Sequence, residues 1–170
     1  VLLKNEGNLL PFKKGTKVAL FGKGSFDYVK GGGGSGDVTV AYTKNLYEGL
    51  KELSEPVHIF EETAAFYRED IRKQYAEQKA PGMTVEPELP EELCKKARAF
   101  ADPAVISICR FSGEGWDRDV KGHHMYEEGD FYLSHAESAM VETVKAHFPK
   151  IVVVLNVGGV VDTQWFCDDD

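Results

Sequence analysis

One carboxylate in this chain stands between two glycines, directly after an apolar run. In Phe111-Ser112-Gly113-Glu114-Gly115-Trp116-Asp117-Arg118, Glu114 is flanked by Gly113 and Gly115. Glycine neighbours leave the backbone unobstructed, so the carboxyl can project into a cleft. A carboxyl presented in that way can serve as a general acid. Trp116 offers an aromatic face beside it. Asp117 and Arg118 offer an ion-pairing couple that supports the loop. The same eight residues also read as a solvated turn with a charged tip.

A second stretch, Lys30-Gly31-Gly32-Gly33-Gly34-Ser35-Gly36-Asp37-Val38, formally satisfies GxGxxG at Gly31, Gly33 and Gly36. A dinucleotide fold needs that motif between a strand and the helix it opens. Here the β-branched run Asp37-Val38-Thr39-Val40-Ala41 follows instead. No GxxxxGK[ST] occurs, which excludes a P-loop. Two readings remain: a flexible loop, or a loop whose backbone must pass close to a ligand or another domain. In the second, Gly34 and Gly36 keep the way clear. Ser35 is then the one side-chain hydrogen-bonding group between Lys30 and Asp37.

A third stretch, Gly122-His123-His124-Met125-Tyr126-Glu127-Glu128-Gly129-Asp130, places two histidines near carboxylates. It lacks HExxH spacing and a distant ligand pair, so a solvated or cleft-rim loop is the expectation. No metal site and no cofactor is expected.

Alternating strands and helices must position these loops. Lys17-Val18-Ala19-Leu20-Phe21 reads as a strand ending at Gly22. A helix is expected over Tyr42 to Leu53, with Leu46, Tyr47, Leu50 and Leu53 at helical spacing. Val57-His58-Ile59-Phe60 reads as a second strand. A long helix from Glu62 to Gln78 carries Phe66, Tyr67, Ile71 and Tyr75 on one stripe. Pro81 to Pro90 reads as an acidic, turn-rich linker. Pro90 to Phe100 forms a helix burying Leu93, Cys94, Ala97 and Phe100. Ala104 to Cys109 is a buried strand that delivers Glu114. Ser134-His135-Ala136-Glu137 is a capping box opening a helix to about His147. Ile151 to Leu155 is the most apolar strand and is expected at the centre of the sheet. Strands separated by helices imply βαβ units, hence an α/β fold with a mostly parallel sheet flanked by helices. Val160 to Phe166 reads as the start of a further element, so the domain is expected to be incomplete towards its C-terminus.

Composition narrows the function classes. The 170 residues suit one domain with a real core. A formal charge of −8 argues against nucleic acid as a partner. There is no apolar run of membrane-spanning length, and no membrane partner is expected. Cys94, Cys109 and Cys167 show no metal spacing, and an odd count favours reduced thiols over a disulfide framework. The compartment stays open, with the cytoplasm slightly favoured over secretion.

Taken in order, six segments carry a resemblance. Val1-Leu2-Leu3-Lys4-Asn5-Glu6-Gly7-Asn8-Leu9-Leu10-Pro11-Phe12 leads into Lys17–Gly22 and the Gly31–Gly36 run. Ser112–Arg118, Gly129-Asp130-Phe131-Tyr132-Leu133-Ser134 and Val153-Val154-Leu155-Asn156-Val157-Gly158 follow. Together they resemble the second, α/β-sandwich domain of glycoside hydrolase family 3, which includes β-glucosidases and related exo-acting enzymes. The resemblance runs from Val1 to about Phe166.

It implies that Glu114 is the general acid/base for hydrolysis of terminal glycosyl bonds. It also implies that Ser35 lies near the sugar and that Trp116 can stack on it. The nucleophilic carboxylate would come from a β/α barrel domain of the same protein, for which residues 1–170 show no candidate. The substrate would be an oligosaccharide or glycoside. An acid of this kind needs a carboxyl that keeps its proton near neutrality, which closure against an apolar barrel face would favour. The alternative is a non-catalytic α/β carbohydrate-binding or scaffold module that keeps the fold without the chemistry.

Overall fold

The computed structural model describes residues 1–54, 57–115 and 131–167. Strand β1 (Lys17–Phe21) is followed by helix α1 (Leu46–Lys51) and the short strand β2 (His58–Ile59). Helices α2 (Glu61–Ala76) and α3 (Glu91–Phe100) lead to strand β3 (Pro103–Arg110). Helix α4 (His135–His147), strand β4 (Lys150–Val157) and the single turn α5 (Gln164–Cys167) complete the order. The strands form one parallel sheet in the order β2-β1-β3-β4. This is the α/β architecture expected from the alternating strand and helix patterns.

The order has a functional consequence. The chain leaves β1 in one direction to reach β2, then returns across it to lay down β3 and β4. Loops following β1 and β3 therefore diverge at a topological switch point, where open parallel sheets leave a crevice outside their carboxyl ends. The glycine-rich loop follows β1 and the Glu114 loop follows β3.

Every residue of β3 is buried, as befits a strand paired on both edges. The expectation for β4 needs correction. Its apolar run stands at the edge of the described sheet, and Ile151, Val152, Val154 and Leu155 are half-buried against the core. An unbroken apolar run reports that both faces are to be covered; it says nothing of how many neighbours the strand has.

Helix ends follow their local chemistry. Asn45 caps α1 reciprocally with Glu48, which starts that helix at Leu46 rather than near Tyr42. Ser134 and Glu137 form the expected capping box on α4. On α2, Tyr67 and Ile71 are buried and Tyr67 stacks on Phe26 with ring centroids 5.4 Å apart. Tyr75 departs from the expected stripe: it is exposed, and its hydroxyl donates to Asp27 at 2.6 Å.

The stretch expected as a linker is a packed segment. Gly82, Thr84 and Glu86 alternate inwards. Asp27 accepts from the Gly82 N–H at 2.7 Å and the Thr84 hydroxyl at 2.6 Å. Lys23 donates its backbone N–H to Glu86 at 2.8 Å and its ammonium to the Gly82 carbonyl at 3.1 Å. This buried polar cluster ties the segment to the turn following β1. Buried polar groups persist where such partners satisfy them. Two atoms in it are less well served. The Tyr67 hydroxyl lies against Glu86 but misses hydrogen-bonding geometry, so neither it nor Glu86 Oε1 is paired among the described residues.

Candidate active site

At the carboxyl ends of β1 and β3 the two loops singled out by sequence meet. The Ser35 hydroxyl donates to Glu114 Oε1 at 2.8 Å, across 79 positions of sequence. The Gly33 N–H donates to the Ser112 carbonyl at 2.9 Å, so the backbones themselves are joined. Both residues of the side-chain pair are exposed, and the carboxylate faces solvent rather than the core.

The glycines make the approach possible. A Cβ on Gly113 would stand 2.6 Å from Gly33 N, inside any permitted contact. Gly34 has φ +65°, and a Cβ there would stand 2.7 Å from Glu114 Oε2. The loop therefore lays bare backbone along the carboxylate. The glycine run passes close to the Glu114 loop of the same domain. No helix directly follows the run: Gly34–Gly36 forms one 3-10 turn, and the chain continues without regular structure to α1. The Lys30 ammonium closes the neck of the loop, pairing with Asp37 at 2.8 Å and donating to the Val38 carbonyl at 2.7 Å.

The base of the Glu114 loop is held from below. Arg110, the last residue of β3, makes a buried pair of 2.6 Å hydrogen bonds with both carboxylate oxygens of Glu137. It also donates to the Tyr132 carbonyl at 3.0 Å. Glu137 thus caps α4 and anchors the strand that delivers Glu114. Bidentate guanidinium–carboxylate pairs fix geometry as well as charge. The sequence shows Glu137 as a cap; nothing in its spacing announces Arg110 as its partner.

Burial shapes the titration of the groups beneath the site. Desolvation pushes the Glu86 carboxyl up to about 8, reinforced by the charge of Glu137 and opposed by the Lys23 N–H. Desolvation also raises the Cys109 thiol and, with the bond to Asp27, the Tyr75 phenol. Among the described residues, no three His, Cys, Asp or Glu side chains converge as a metal-ligand set. No helix among them is long and apolar enough to cross a membrane. Trp116, Asp117, Arg118 and the His123–His124 stretch lie outside the described residues. Gly36, with no contact near its Cβ position, and Gly115, at φ +73°, flank the site in the open.

Beta-glucosidases resemble this chain in sequence and in fold. Beta-glucosidase A of Butyrivibrio fibrisolvens is 53% identical over 186 residues, covering 100% of this chain and 22% of its own length. A beta-glucosidase of Ruminococcus albus is 32% identical, covering 95% of this chain and 17% of its own. The present chain therefore spans about a fifth of the length of these curated relatives. Among solved structures, a beta-glucosidase from Paenibacillus barengoltzii superposes with a TM-score of 0.84 at 30% identity, over 99% of this chain and 18% of that one. Beta-glucosidase 3B from Thermotoga neapolitana, solved in complex with alpha-D-glucose, gives 0.77 at 39% identity, over 96% of this chain and 23% of that one. The model of the glycosyl hydrolase family 3 C-terminal domain matches residues 1–170, and the chain belongs to that family.

Proposed function

We propose that this chain is the acid/base-bearing domain of a retaining β-glucosidase, with Glu114 as the proton donor and acceptor. The observation that carries the reading is the Ser35–Glu114 hydrogen bond at the switch point of the sheet. Ser35 holds one carboxylate oxygen, and Gly34 leaves the other without a side chain over it. A retaining glycosidase needs a second carboxylate roughly 5–5.5 Å away as nucleophile. Relatives of which this chain covers only 22% and 17% support a β/α barrel domain of the same protein as its source.

In the first step Glu114 gives its proton to the glycosidic oxygen as the nucleophile attacks the anomeric carbon and the aglycone leaves. In the second it takes a proton from water, whose oxygen displaces the nucleophile and releases the sugar. Ser35 orients the carboxyl and lies close to the sugar, and Trp116 supplies a stacking face for it. A terminal β-linked glucosyl unit fits the relatives' names, and no cofactor enters the chemistry.

The test is Glu114→Ala in the full-length protein. Loss of the acid should slow alkyl glucosides by a factor of about 10² to 10⁴, the usual range for acid–base catalysis. Aryl glucosides with good leaving groups should still glycosylate the enzyme, and azide should restore turnover by intercepting the intermediate. Wild-type activity on alkyl glucosides would remove Glu114 from the chemistry.

A further inference from the structure

Asn156 stands near the end of β4, opposite Cys109 in the parallel register. Its side chain also reaches a residue 127 positions earlier. Oδ1 accepts from the Val29 N–H at 2.8 Å, and Nδ2 donates to the Val29 carbonyl at 3.2 Å. One amide thus satisfies both backbone groups of one residue, as a neighbouring strand would. The Cys109 thiol, 3.4 Å from Oδ1, braces the same oxygen from β3.

Val29 is the residue before Lys30, whose ammonium closes the neck of the glycine-rich loop. The Asn156–Val29 clamp is therefore the base on which that loop stands. Two residues further along β4's exit, Gly158 packs on the other loop: a Cβ there would stand 2.7 Å from Ser112 Cβ. Ser112 in turn accepts the Gly33 N–H. The end of β4 contacts both loops that bring Ser35 to Glu114, although it supplies neither residue.

We propose that Asn156 is a positioning residue of the Ser35–Glu114 pair, acting through the backbone of Val29. The proposal rests on the reading of Glu114 as the acid/base. Its amide sets the height and direction of the loop carrying Ser35, while Gly158 lets the Glu114 loop close against the same strand end. Displacement of a catalytic group by about 1 Å can cost up to about 10² in rate. Loss of this clamp should therefore be read in kcat.

The experiment is a double-mutant cycle in the full-length protein, with kcat and KM measured on an alkyl β-glucoside. Asn156→Ala should lower kcat about tenfold with KM within about twofold, since the loss falls on positioning rather than on binding. Ser35→Ala should lower kcat to a similar extent. If the amide acts through that contact, the double variant should fall about 10- to 20-fold rather than the roughly 100-fold of independent sites.

Asn156→Asp carries the same test should the Ala variant not fold. It keeps the acceptor for the Val29 N–H and loses the donor to the carbonyl. Full additivity, a silent Ser35→Ala, or a lowered melting midpoint with unchanged kcat would each overturn the proposal. Failure of both Asn156 variants to fold would do the same, because the amide would then serve the sheet alone. Glu114→Ala, run alongside, separates the two ideas. An active Glu114→Ala chain removes the acid/base reading itself, whereas an inactive one beside an unchanged Asn156→Ala chain removes only the positioning role.

Discussion

Glu86 should make the protein lose stability as pH rises through neutrality. The residue is 7% exposed, and its carboxyl receives one hydrogen bond, from the Lys23 N–H. Tyr67, Lys23 and Glu137 are the titratable groups that face it. Burial lifts it from an ordinary 4.5 to about 8, so the folded chain holds a proton there that the unfolded chain releases. Below the ordinary value both states are protonated, and the stabilisation is complete. Between the two values only the folded state binds the proton, so stability falls with rising pH. Above about 8 both states are ionised and the loss is finished.

Each tenfold difference in proton affinity is worth about 1.4 kcal/mol, which sets the full swing at no more than about 5 kcal/mol. Glu86→Gln keeps an acceptor for Lys23 and cannot ionise. Urea denaturation of both proteins between about pH 4 and pH 9 should give nearly equal stabilities at the acid end. The variant should be ahead by about 3–5 kcal/mol at the alkaline end. An unchanged pH slope in Glu86→Gln would refute the reasoning, because the titrating group would have to lie elsewhere.

Two further outcomes follow from the site's packing. Gly34→Ala should cost only about 1–2 kcal/mol of stability for its left-handed backbone. The new methyl should nevertheless push the Glu114 carboxylate off Ser35, cutting kcat at least about tenfold in steady-state assays. Glu137→Ala should lower stability by about 3–5 kcal/mol in denaturant titration, because Arg110 keeps its burial and loses this carboxylate. Replacing both partners with apolar residues of similar volume should recover part of that loss.

Much of the fold could be read from residue types. The apolar runs of β1, β3 and β4 and the Ser134–Glu137 capping box lie where their patterns place them. Glu114 and Ser35 were visible as candidates because glycines surround both. Their meeting was not visible, since 79 residues separate them and only the strand order brings the loops together. The edge position of β4 was equally hidden, because a run of Ile and Val records burial and not the number of neighbours.

The inward row of Gly82, Thr84 and Glu86 was lost among prolines and charges that resemble a solvated linker. Its period-two burial carries no apolar signature, and only the partners Asp27 and Lys23 explain it. Asn156 stood in a recognisable segment, but an amide that serves a backbone 127 residues away leaves no trace in local sequence.

The 79-residue interval also sets an order of events during synthesis. At roughly 5–20 residues per second, the ribosome delivers Ser35 about 4–16 s before Glu114. In that interval the nascent chain can form α1, α2 and α3 from local contacts. The parallel pairing of β1 with β3 must wait for the later strand. Once paired, the exposed Ser35–Glu114 bond adds only about 0.5–1.5 kcal/mol of its own. It therefore records sheet assembly rather than driving it. A partly folded chain can be helical and compact while Ser35 and Glu114 are still apart.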